Sequence, residues 1–172
     1  MMVFKINQLA AYCWCCYSTY MKYVILHNIR SAYNVGAVFR TADGAGIKKI
    51  FLTGYTPAPT DRFGREQAEI KKTSLGASKI ISWERGDFNE IVERLQKENT
   101  EVVAVEQAAN SISLPCYTPV ENTAYILGKE ITGIEEQDLV LVNKVVDIPM
   151  RGKKESLNVS VAAGIVMYHG TL

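Results

Sequence analysis

The sequence predicts an α/β fold, a mostly parallel sheet flanked by helices, and three observations carry that prediction. Short runs rich in Val and Ile recur along the chain, each is closed by a Gly, Asn or Pro break, and the segments between them carry helical patterns. Strands of this kind are buried on both faces, which a parallel sheet covered by helices on two sides achieves.

The predicted strands are Tyr23 to His27, Lys49 to Thr53, Glu101 to Val105, Ala124 to Leu127 and Val145 to Ile148. After the first, Asn34 is placed to cap a helix whose inner face carries Val35, Val38, Phe39 and Ala42, and Gly44-Ala45-Gly46 stops it. Asp87 with Glu90 three residues on forms a capping box, opening a helix with Phe88, Ile91, Val92 and Leu95 on one face. The last segment sets Leu157, Val161, Ile165 and Tyr168 on one helical face, with Val159, Ala162, Ala163 and Val166 around the rest. A helix apolar nearly all round needs cover on two sides, and at the end of a small domain a second copy of the chain supplies it, so a homodimer is expected.

The 172 residues, 48% apolar and 22% charged, fit one domain with a full core. We assign it to residues 22–172, with residues 1–21 as an N-terminal extension of no assigned role. The 19 basic and 18 acidic side chains nearly cancel, so a nucleic acid would have to be held by a local patch. No apolar run reaches the roughly 18 to 20 residues of a membrane span, and the first segment is a poor secretory signal, so a cytoplasmic protein is expected. Cys13, Cys15, Cys16 and Cys116 show neither a disulfide framework nor zinc-type pairing, and no metal is expected.

The sequence carries no G-x-G-x-x-G after a strand, no G-x-x-x-x-G-K-[ST] and no H-E-x-x-H. Gly44-Ala45-Gly46 follows a helix and precedes a strand, the reverse of the dinucleotide-binding order. His27 and His169 are too far apart in sequence to argue a dyad and are expected to be structural.

The stretch LHNIRSAYNVGAVFRTADGAG, Leu26 to Gly46, is more informative. Gly36 and Arg40 lie one turn apart, so the absent side chain of Gly36 leaves room for a group to approach the Arg40 guanidinium. A strand, a turn and a helix start also direct free N–H groups towards the sheet's carboxyl edge, where anions bind. A capped amphipathic helix with a solvated Arg explains the same stretch equally well. Two further segments shift the balance: YILGKEITGIEEQ from Tyr125, a strand entering a Gly-rich turn with Glu130, and VDIPMRGKKESLNVSVAAGIVMYH from Val146, a strand, a Pro-Met-Arg-Gly loop, then Ser156 and Asn158 before the final helix. Loops after strands are where α/β sheets place ligands.

Together these segments resemble the three motifs of the SpoU/TrmH family of RNA 2′-O-ribose methyltransferases, a branch of the SPOUT superfamily. Asn34, Gly36 and Arg40 match N-x-G-x-x-x-R; Leu127, Gly128 and Glu130 match the second motif; Ile148 to Gly152 and Ser156 to Gly164 match I-P-M-x-G and S-L-N-V-S-x-A-x-G. Order and spacing agree from about Leu26 to the end.

The resemblance implies a deep trefoil knot in the C-terminal part, a rare exception to the absence of knots in proteins. It implies S-adenosylmethionine bound by Leu127, Gly128, Ile148, Met150, Ser156, Leu157 and Asn158, with Glu130 and Gly36 structural in the site. Arg40, Asn34, Ser156 and Asn158 are the implied catalytic set. Because guanidinium groups stay protonated, Arg40 is expected to bind the neighbouring phosphate and the emerging oxyanion, with Asn34 and Ser156 orienting loop and nucleotide. RNA contact is expected at Arg62, Phe63 and Arg65, with Lys71, Lys72, Arg151, Lys153 and Lys154 adding charge; a solvated loop has the same composition. Many relatives carry an added RNA-binding domain, and its absence here suggests a compact RNA such as tRNA. The alternatives are rRNA as substrate, a base methyltransferase on the same fold, and a non-catalytic dimeric RNA-binding knot protein. The Asn34, Gly36, Arg40 set argues against the base methyltransferase, and its presence together with Ser156 and Asn158 argues against the non-catalytic protein.

Overall fold

The computed structural model describes residues 21–129 and 132–170. Its strands are β1 (Met21–His27), β2 (Lys49–Thr53), β3 (Ser82–Gly86), β4 (Glu101–Val105), β5 (Ile112–Ser113), β6 (Asn122–Leu127) and β7 (Lys144–Asp147). Its helices are α1 (Ala32–Gly44), α2 (Ala68–Ser74), α3 (Ala77–Ile80), α4 (Phe88–Lys97), α5 (Glu136–Leu139) and α6 (Val159–Tyr168). The strands form one seven-stranded sheet in the order β3-β2-β1-β6-β4-β7-β5, and every pairing is parallel.

Side-chain alternation along the strands divides the core in two. Val24, Leu26, Ile50 and Leu52 pack with α1, α2 and α6, while Tyr23, Ile25 and Phe51 pack on the other face with Phe88, Ile91, Val92 and Leu95 of α4. β1 and β6 are hydrogen-bonded neighbours, yet β1 leads outward to β2 on one side and β6 leads across β4 to β7 on the other. The carboxyl ends of these central strands therefore open a crevice, the usual ligand position in such sheets.

Two strands lie outside the sequence reading. β3, Ser-Trp-Glu-Arg-Gly, is a half-exposed edge strand whose Glu84 pairs with Lys49 and Arg94, so charge on the edge conceals the apolar signal. β5 has two residues, too few for any periodicity. Asp87 caps α4 as expected, accepting from the N–H groups of Asn89 and Glu90.

Three local expectations are corrected. α1 is capped by Ser31, whose hydroxyl accepts from the Asn34 N–H, so Asn34 lies inside the first turn. Gly36 does not open space for Arg40: a Cβ there would run into Thr73 Oγ1 and come within 2.8 Å of the Ile70 carbonyl, so this glycine lets α1 touch α2. α6 begins at Val159 with Asn158 as its cap, which leaves Ser156 and Leu157 in the preceding loop. At its other end α6 is closed by the buried Lys22, whose ammonium donates to the Met167 and His169 carbonyls at 3.3 and 2.7 Å. β1 starts at Met21, the last residue of the expected extension. The three clustered cysteines and Glu130 lie outside the described residues.

Candidate active site

A cleft at the carboxyl ends of β4, β6 and β7 gathers residues from all three following loops: Glu106 and Gln107, then Gly128, Lys129 and Gly133, then Ile148, Met150, Ser156 and Leu157. Val159 and Ala162 of α6 close one wall. Apolar Leu127, Ile148, Met150 and Leu157 share the lining with polar Gln107 and Ser156, a composition suited to a flat heteroaromatic group with a polar tail.

The loops are fixed by specific contacts. Lys129 and Gly133 exchange both backbone hydrogen bonds, 3.2 and 3.0 Å, folding the turn after β6 back on itself. The Glu106 carboxylate clamps that turn, accepting from the Ile134 N–H at 2.9 Å and the Gln107 N–H at 2.9 Å. Gln107 donates to the Glu155 carbonyl at 2.7 Å and so joins the loop after β4 to the loop after β7. Gly128 has no room for a side chain, since a Cβ would lie 2.5 Å from Ile134 Cγ1 and 2.8 Å from the Ile134 nitrogen.

Six of the seven residues expected to hold the cofactor, Leu127, Gly128, Ile148, Met150, Ser156 and Leu157, line this cleft. Asn158 does not. Its Oδ1 accepts from the Ser160 N–H and hydroxyl at 2.9 and 2.6 Å, and its Nδ2 donates to Asn34 Oδ1 at 3.2 Å, tying the start of α6 to the first turn of α1. Arg40 also stands away from the cleft lining, six residues beyond Asn34 or about 9 Å of helix rise. Its side chain is exposed and, among the described residues, in no ion pair. Sequence reasoning missed Glu106, Gln107, Lys129 and Gly133; their signal was position alone, directly after predicted strands.

The expected RNA contact is an ordered turn. Thr60 and Glu66 form an antiparallel bridge, and Asp61 accepts from the Phe63 and Arg65 N–H groups at 2.8 and 2.9 Å. Phe63 is 68% exposed, with the Arg62 and Arg65 guanidinium carbons 4.8 and 5.2 Å from its ring centre. Arg65 is partly neutralised by Asp61, and Lys71 shares Glu66 with Lys79, which holds that carboxyl down at about 2. Arg151 and Lys153 are exposed in the loop between β7 and α6.

His27 ends β1 behind the site. Its ring lies between Thr53 Oγ1 (2.8 Å), Asn28 Nδ2 (2.7 Å) and the Asp138 carboxylate (3.3 Å), against Phe88. Burial pushes its pKa below the ordinary 6.5, outweighing the nearby Asp138 charge. The folded protein thus disfavours the imidazolium that the unfolded chain accepts freely. The stability this confers is whole above pH 6.5 and is lost as pH falls from there through the lower folded value. Thermal melts between pH 7.5 and 5.5 should show a steeper loss of Tm in the wild type than in His27→Gln.

Among the described residues no group of three or more His, Cys, Asp or Glu is arranged to hold a metal, and no helix is long and apolar enough to cross a membrane. Residues 21–168 match the model of the SpoU rRNA methylase family. The chain belongs to that family. SpoU relatives include the 23S rRNA (guanosine-2′-O-)-methyltransferase RlmB of Escherichia coli K12, 30% identical over 146 residues, which are 84% of this chain and 57% of the relative. The RlmB of Coxiella burnetii is 29% identical, with 84% and 56% covered. The chain therefore spans little more than half the length of these SpoU proteins. Solved structures similar to this chain include an AdoMet-bound rRNA methyltransferase from Sinorhizobium meliloti (TM-score 0.77, 27% identity, 87% of this chain and 55% of that one). Another, described as giving structural insights into 2-OH methylation of C/U34 on tRNA, has TM-score 0.74 and 25% identity, with 89% and 95% covered.

Proposed function

We propose that this chain transfers a methyl group from S-adenosylmethionine to a ribose 2′-hydroxyl of RNA. The observation that carries the reading is the convergence of the second and third motif loops on one cleft, whose first wall is tied to the first motif through Asn158 and Asn34. When bound, S-adenosylmethionine supplies a sulfonium-activated methyl group. Leu127, Gly128, Ile148, Met150, Ser156 and Leu157 would hold it, and Gly128 lets the turn at Gly133 and Ile134 pack closely against the end of β6. Asn158 and Asn34 fix the seam between α6 and α1, with Ser156 orienting the nucleotide. Arg40 binds the adjacent phosphate and steadies charge on the 2′-oxygen as its proton passes to solvent water. Glu130 and Gly36 are structural, and Arg62, Phe63, Arg65, Arg151 and Lys153 contact RNA.

The 23S rRNA names of the curated relatives favour rRNA over the tRNA expected from sequence. The neighbour concerned with 2-OH methylation of C/U34 on tRNA keeps tRNA as the second reading. Labelled methyl transfer to unmodified rRNA and tRNA in parallel separates the two. Label in neither, with the cofactor bound, would contradict the enzymatic reading. We infer a cytoplasmic setting, which an RNA substrate supports.

We also infer that the domain spans residues 22–172, that its C-terminal part is threaded as a trefoil knot, and that it works as a homodimer. Supporting the knot, β6 is inserted between β1 and β4 while β7 lies outside β4, and the loops after β4 and β7 are joined by Gln107. Supporting the dimer, Val161, Ile165 and Tyr168 of α6 are 50, 39 and 38% exposed, with Leu157 37% exposed in the loop before it, together an apolar surface suited to meet a second copy. Sedimentation should give a dimer for the wild type and a monomer for Val161→Asp/Ile165→Glu; a wild-type monomer at micromolar concentration would remove the inference.

A further inference from the structure

A second groove lies on the same carboxyl edge of the sheet, on the other side of the α1 start, where Arg30, Tyr33, Tyr55, Gln67 and Glu69 converge. Tyr33 and Tyr55 both line it and are 47 and 56% exposed, so two rings of the kind enriched at interfaces are available to a ligand there. Their backbones are nevertheless pinned. Thr73 Oγ1 donates to the Tyr33 carbonyl at 3.2 Å, and the Tyr55 N–H donates to Asn28 Oδ1 at 3.3 Å. Asn28 and Gly54 both adopt positive φ, 58° and 63°, and a Cβ on Gly54 would strike the Asn28 side chain, so the turns after β1 and β2 are locked together. Thr56 reinforces the lock, accepting from the Ile29 N–H and donating to the Leu26 carbonyl. Rings exposed on so rigid a base form a ready stacking platform.

The polar groups select the ligand. Arg30 and Glu69 balance in charge, which disfavours a bare phosphate, and Gln67, which lines the groove and makes no side-chain cap to α2, carries an amide with both a donor and an acceptor. Tyr33, Ala37 and Arg40 share one stripe of α1 at helical spacing, and the Cα–Cβ bonds tilt Arg40 back towards Tyr33 over the small Ala37.

We propose that this groove binds one unstacked nucleobase of the RNA, stacked against Tyr33 and Tyr55 and hydrogen-bonded by Gln67 and Glu69. Its sugar-phosphate then runs along the stripe to Arg40. The proposal rests on the RNA methyltransferase reading and adds a base subsite to it.

The test uses the full chain with S-adenosylhomocysteine at saturation, to fill the cofactor cleft, and the four ribonucleoside 5′-monophosphates as probes in saturation-transfer NMR. At least one monophosphate should show transfer to its base protons. Affinity should fall on the order of tenfold in Tyr33→Ala and Tyr55→Ala and stay within about twofold in the Phe variants, since stacking needs the ring and not the hydroxyl. In methyl transfer the Ala variants should raise KM for RNA with KM for S-adenosylmethionine unchanged. No transfer to any monophosphate, or equal transfer in the Ala variants with unchanged melting, overturns the subsite. An oligomer lost together with binding in the Ala variants overturns it too, by making the rings a protein interface. Failure of the enzymatic reading is separately visible, as tyrosine-dependent base binding without methyl transfer to any RNA.

Discussion

Replacing Arg40 with Ala should lower kcat for methyl transfer by about 10²- to 10³-fold, the usual loss when one charge-stabilising donor is removed, while leaving S-adenosylmethionine affinity unchanged. The expectation of unchanged cofactor binding is structural: Arg40 is exposed and does not line the cleft. For the same reason Tm should move little, because no ion pair among the described residues is lost. Arg40→Lys should recover only part of the rate, since an ammonium keeps the charge and loses the planar fork that engages a phosphate and an oxyanion together. Near-full turnover in Arg40→Lys would refute the bidentate role. Single-turnover assays at saturating RNA separate this effect from RNA binding.

Gly128→Ala should cost more structure than one methyl group ordinarily does. The new Cβ would be 2.5 Å from Ile134 Cγ1 and 2.8 Å from both the Gly133 carbonyl carbon and the Ile134 nitrogen, backbone that cannot rotate away. Relief requires moving the turn, and that strains the Ile134 hydrogen bond to Glu106 and the pair of backbone hydrogen bonds between Lys129 and Gly133. Overpacking of this kind costs about 1–3 kcal/mol, or several degrees in Tm for a chain of this size. Because the turn is one wall of the cleft, calorimetry should show S-adenosylmethionine affinity down by at least about tenfold. Unchanged affinity in a folded Gly128→Ala protein would mean that the cofactor does not rest on this turn.

The central strands were legible because burial on both faces forces continuous apolar runs: Lys49–Thr53 and Glu101–Val105 stand where the sequence set them. The cleft was legible only through its motifs, and then for the part that follows β6 and β7. Glu106 and Gln107 carry no pattern of their own; what makes them site residues is that β4 lies between β6 and β7, a neighbourhood set by strand order and invisible to local periodicity. Asn34 was misplaced by three residues because Ser31 and Asn34 are both good caps, and the choice between them is settled by where the chain leaves β1. Gly36 was misread for a related reason. Its lack of a side chain serves the contact with α2, a short helix of mixed polarity that gave no sequence signal of its own.

The most direct measurement is alkaline hydrolysis of RNA that the enzyme has labelled from methyl-labelled S-adenosylmethionine. A methyl group on the 2′-oxygen blocks attack on the adjacent phosphate, so the label should survive in a dinucleotide, and Arg40→Ala should form that dinucleotide about 10²- to 10³-fold more slowly. Label released as a methylated mononucleotide would place the methyl on a base and contradict the account.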